Sequence, residues 1–182
     1  DFVLAFTAHV HLLGTEVSSP YDDVVPYPTS QQGSWTFPFE TNEAWEAWKV
    51  RMNPWMTLMP LVSEGEIVLL NAVISYHDVY FVTTRMNTRG LSPERQSDYW
   101  MRGIGINSEH ATTISTKTGT KPPLVKALNL ECFIDDSPPN LSGLWGVKGL
   151  TLYKRSWSYN ADSPGIPCNS LDAFLVDAVR AI

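Results

Sequence analysis

Several clusters of polar side chains stand at the ends of apolar runs, and each holds groups able to handle charge. The densest is Glu131-Cys132-Phe133-Ile134-Asp135-Asp136-Ser137-Pro138-Pro139-Asn140-Leu141, where an apolar run stops at two adjacent carboxylates. Neighbouring carboxylates repel unless a cation or a strong donor is at hand, so Asp135 and Asp136 suit a divalent metal such as Mg²⁺. The plainer alternative is an Asp pair that opens a turn and caps the next helix. A second cluster is Thr7-Ala8-His9-Val10-His11, with His9 and His11 on one side of an extended segment. Thr83-Thr84-Arg85 is a third, and Lys121 comes shortly before the acid pair. Hydroxyl donors, a lysine and paired acids together match a phosphoryl group and its metal.

Such groups need elements to hold them. Phe2-Val3-Leu4-Ala5-Phe6 is continuously apolar, as expected of a strand covered on both faces. Val79-Tyr80-Phe81-Val82, the Phe133-Ile134 run and Gly149-Leu150-Thr151-Leu152-Tyr153 read the same way, and Ala111-Thr112-Thr113-Ile114 as a short strand. Helical spacing appears from about Glu66 to Tyr76, after the Ser92-Pro93 start, through Leu124, Val125 and Leu128, around Leu141 and Leu144, and from Leu171 to Ile182. Strands alternating with helices imply a mostly parallel sheet with helices on both sides. In such sheets ligands sit beyond the carboxyl ends of the strands, which is where the polar clusters fall.

Length bounds the rest. The chain of 182 residues predicts one domain, 1–182, and the Pro-, Trp- and Met-rich stretch 15–60 reads as an irregular insertion. Trp35, Trp45, Trp48 and Trp55 within it could form a small core or stack a nucleobase. A formal charge of −6 argues against binding a nucleic-acid backbone, and no basic block offsets it. Cys132 and Cys168 are too few for a disulfide framework or a zinc site, which favours a reducing cytoplasm. No apolar run approaches the roughly 20 residues that span a membrane, so no membrane partner is expected.

In this order the motifs resemble those of the haloacid dehalogenase (HAD) superfamily, and most closely the branch of 5′(3′)-deoxyribonucleotidases and class B acid phosphatases. Tyr80-Phe81-Val82-Thr83-Thr84-Arg85 matches that branch's strand-Thr-x-Arg motif, Thr118-Gly119-Thr120-Lys121 its lysine motif, and Phe133 to Leu141 its acidic motif. Leu152-Tyr153-Lys154-Arg155-Ser156-Trp157-Ser158-Tyr159-Asn160 is similar to the stretch that follows in nucleotidases. The resemblance implies an α/β, three-layer HAD-like Rossmannoid with a mostly parallel sheet and a small cap insertion after the first strand. It also implies phosphate binding by Thr83, Thr84, Arg85 and Lys121, and metal binding by Asp135 and Asp136.

The first motif departs from the family. There the first strand ends in Asp-x-Asp, nucleophile and general acid/base, whereas Thr7 and His9 stand in those places here. A threonine hydroxyl has neither the charge of the attacking carboxylate nor its metal-ligating oxygen. Ordinary aspartyl-phosphate chemistry is therefore not expected. One reading is a noncatalytic or weakly active binder of a phosphorylated small molecule such as a nucleotide. The alternative is a phosphohydrolase using a rewired Thr7/His9 pair, or a water activated by Mn²⁺ or Zn²⁺ on His9, His11 and an acid. A third is a scaffold that keeps only the fold.

Overall fold

A computed structural model of the chain describes residues 43, 63–84, 90–117 and 119–180. The expected first strand with Thr7, His9 and His11, most of the 15–60 insertion, and Arg85 lie outside the described residues. The chain divides into two compact units, Asp1–Val62 with Met86–Gly105 and Ser63–Arg85 with Ile106–Ile182.

In chain order the elements are α1 (Glu64–Tyr76), β1 (Tyr80–Thr84), α2 (Pro93–Gly103), β2 (Thr112–Thr116), α3 (Lys121–Ala127), β3 (Cys132–Asp135), α4 (Pro138–Leu144), β4 (Thr151–Arg155), β5 (Ile166–Cys168) and α5 (Asp172–Arg180). Helix α2 belongs to the first unit and all the others to the second. As the Ser92-Pro93 signal predicts, the Ser92 hydroxyl accepts from Arg95 N at the start of α2, and Pro93 sits in its first turn. At α1 the side chains do more. Ser63 Oγ accepts from Glu66 N at 3.1 Å while Glu66 Oε2 accepts from Ser63 N at 2.7 Å, a reciprocal capping box.

All strand pairing among the described residues is parallel, in an α/β arrangement. β1 pairs β2 from Tyr80↔Thr112 to Thr84↔Thr116. β3 pairs β4 from Cys132↔Thr151 to Asp135↔Lys154, and β4 pairs β5 from Tyr153↔Ile166 to Arg155↔Cys168. The sequence places β4 two residues early, at Gly149; pairing with β3 begins it at Thr151. The strand β5 carries no apolar run, and its Pro167 can be accommodated because, among the described residues, β5 pairs on one side only.

Val125, Phe133, Leu141, Leu144 and Leu152 form a buried cluster, with Val82, Leu130, Val147 and Leu150 packed against it. Helices α3 and α4 thus cover the face of the β3–β4 sheet that carries Phe133 and Leu152. Alternation sends Tyr153 to the opposite face, where the Phe174 ring of α5 meets it edge-on at 5.2 Å. Coverage from both sides explains why Leu152, Tyr153 and Lys154 are buried in succession. Among the described residues no helix is long and apolar enough to cross a membrane.

Candidate functional site

The site grows from two helix starts rich in proline. α3 begins Lys121-Pro122-Pro123 and α4 begins Pro138-Pro139. Proline fixes φ near its helical value, and its missing N–H would be unpaired in a first turn anyway. Both starts are therefore stiff. α3 closes with Asn129 at φ 50°, Asn129 N donating to Lys126 O and Leu130 N to Val125 O. This is a Schellman cap with asparagine in the left-handed position, and it delivers Leu130 onto the buried cluster. The helices approach closely at Gly143, where a Cβ would lie 3.0 Å from Pro122 Cγ. Glycine at 143 thus lets α4 press against the turn that carries Lys121.

Lys121 Nζ lies 2.9 Å from Asp135 Oδ2, with side chains 16% and 2% exposed. The other Asp135 oxygen accepts from Ser137 N at 2.8 Å, an Asx turn at the end of β3. The Asn140 amide nitrogen straddles the carboxylate, 3.2 Å from Oδ1 and 3.3 Å from Oδ2. The acid is thus buried, paired and hydrogen-bonded on both oxygens.

Asp136 has different partners. The Tyr159 hydroxyl donates to its Oδ2, and Asn160 Nδ2 donates to its backbone carbonyl at 2.8 Å. Asn160, 1% exposed, also donates to Arg155 O and accepts from Trp157 N. It locks the loop after β4 onto the loop after β3. Lys154 stands in register with Asp135, yet its ammonium goes to three carbonyls instead: Asn160 O at 3.2 Å, and Ala161 O and Ser163 O at 2.8 Å. Gly165, at φ 121°, lies against the Lys154 Cβ, where a Cβ of its own would come within 3.2 Å.

The threonine cluster forms its own network at the ends of β1 and β2. Thr116 Oγ1 donates to Thr83 O at 3.2 Å and lies 3.2 Å from Thr84 Oγ1. With the Thr116 proton spent on the carbonyl, Thr84 is the donor between the two hydroxyls. Alternation turns the Thr83 side chain to the other face, and among the described residues its hydroxyl has no hydrogen-bond partner. No hydrogen bond or ion pair joins Thr83 or Thr84 to Lys121 or Asp135. Lys121 and Asp135 are thus brought together, Asp136 meets other partners, and the threonines form a separate group.

The two acids engage separate partners: Asp135 meets Lys121, Ser137 N and Asn140, whereas Asp136 Oδ2 meets Tyr159. Among the described residues no group of three His, Cys, Asp or Glu side chains is placed to hold a metal ion. The two cysteines are free thiols, and burial pushes the Cys132 thiol up to about 11 and Cys168 upward as well. Neither is a ready nucleophile. Sequence reasoning singled out the acids and Lys121 but missed Asn140, Gly143, Lys154, Tyr159 and Asn160 as the residues that position them. Asn140 stood in the acidic motif, and Lys154, Tyr159 and Asn160 in the Leu152–Asn160 stretch, without a role assigned to any of them; Gly143 carried no signal. Searches against family models, curated proteins and solved structures gave no match for this chain.

Proposed function

We propose that the chain adopts a three-layer HAD-like Rossmannoid fold and binds a phosphorylated small molecule, a nucleotide being the leading class, without aspartyl-phosphate chemistry. The observation carrying this reading is the Lys121 ammonium, held against Asp135 beyond the carboxyl end of a parallel strand, where ligands of such sheets sit. Parallel pairing of all the described strands, and helices on both faces of the β3–β4 sheet, support the fold. An ammonium has three N–H donors. One faces Asp135, leaving two to meet phosphate oxygens. The Thr83 hydroxyl is the next candidate donor, with Arg85 proposed beside it from the sequence motif. Thr7 and His9 replace the carboxylates that would attack phosphorus and shuttle its proton, so binding rather than turnover is the expected outcome.

The test is a thermal-shift and calorimetry panel of nucleoside monophosphates and inorganic phosphate, with Lys121→Met alongside and phosphate release assayed in parallel. Saturation at a hundred times Kd should stabilise the protein by about 2.7 kcal/mol, and Lys121→Met should remove the effect. Binding that survives Lys121→Met would move the ligand elsewhere. Phosphate release lost in Thr7→Ala or His9→Ala would replace the binder with a rewired phosphohydrolase.

A further inference from the structure

We infer that Lys121 is the resident cation of this site, seated on the Asp135 oxygen that a divalent metal would need, so that Asp135 anchors the lysine and does not ligate metal. A carboxylate offers about four lone-pair positions. On Asp135, Oδ1 serves Ser137 N and the Asn140 amide, and Oδ2 serves Lys121 Nζ and the same amide. A divalent ion would have to displace the ammonium or break the Asx turn. It would also sit within a few ångströms of a positive charge in a nearly buried site, where such repulsion is weakly screened.

Asp136 offers no compensation. Its Oδ2 accepts from Tyr159 and its backbone carbonyl from Asn160, both on the loop after β4, so its partners draw it toward a different loop from those of Asp135. The Asn140 amide has a further consequence. An amide nitrogen donates only, and it faces both oxygens of Asp135, so it occupies acceptor positions that a metal ion would need. Acid and lysine therefore neutralise each other internally, and the ammonium is held in place by the chain's own contacts. This holds whether or not a phosphorylated ligand binds nearby, since it depends only on the contacts of Asp135.

Mn²⁺ is the probe, read in two ways. In the wild-type chain, NMR should show no paramagnetic broadening of the Asn140 side-chain amide or the Ser137 amide at substoichiometric Mn²⁺. By electron paramagnetic resonance, Lys121→Met should gain Mn²⁺ binding at least tenfold tighter than wild type, lost again on adding Asp135→Asn. Lys121→Gln serves if the methionine variant does not fold. Broadening of those amides in the wild type would overturn the inference, as would a folded Lys121 variant that gains no Mn²⁺ binding.

Discussion

Asp135 and Lys154 solve one problem in two ways. Both are charged and buried, at 6% and 7% exposure, and stand opposite each other in the β3–β4 register. Removing one partner of a buried ion pair leaves an uncompensated charge. Lys121→Met should accordingly destabilise the fold by about 3 kcal/mol, and adding Asp135→Asn should recover part of that loss in urea melts. Lys154 has carbonyl partners only, so Lys154→Met orphans Ala161 O and Ser163 O, while Asn160 O keeps its bond from Ser163 N. A loss of about 2–4 kcal/mol by urea unfolding is expected. The thiols are a third case. With Cys132 pushed to about 11 by burial, then by the nearby charges of Asp177 and Glu131, its thiolate fraction at pH 8 falls on the order of a hundredfold below that of a free cysteine. Iodoacetamide labelling followed by mass spectrometry should be slower in proportion.

At the scale of elements, Glu66 ties two helices together. One oxygen completes the α1 capping box and the other, Oε1, accepts from Leu171 N at 2.8 Å, at the start of α5. Burial pushes the Glu66 carboxyl up, but the bonds from Ser63 and Leu171 outweigh it and hold it below its ordinary value. A depressed carboxyl contributes stability that is present above the unfolded-state pKa and lost as pH falls through the folded one. Glu66→Gln should therefore lower stability at neutral pH by about 1–2 kcal/mol and flatten the acid limb of a stability–pH curve. The contact of α3 with α4 gives a second element-level expectation. Gly143→Ala must push Pro122 back by a few tenths of an ångström or more, with Lys121 beside it. A folded variant should show weakened phosphate binding by calorimetry as well as a lower melting temperature.

For the molecule as a whole, strand and helix types were legible because they depend on neighbours in sequence. Ser92-Pro93 marks the start of α2, the apolar run at Phe133-Ile134 a buried strand, and the spacing of Leu171, Phe174, Leu175 and Ala178 the terminal helix, all through rules acting over a few residues. Such rules also place an acid pair at the end of β3. They do not say what the acids touch. Lys121 reaches Asp135 because two proline-stiffened helices meet at Gly143. Lys154 turns from Asp135 because the loop after β4 folds three carbonyls over it, and Asn160 holds that loop in place. The sequence by itself thus determined an α/β chain with charged groups at its strand ends. Only the tertiary structure decided that one acid is neutralised from within while its neighbour faces another loop, because partners brought together from distant segments are chosen by chain crossings and not by spacing.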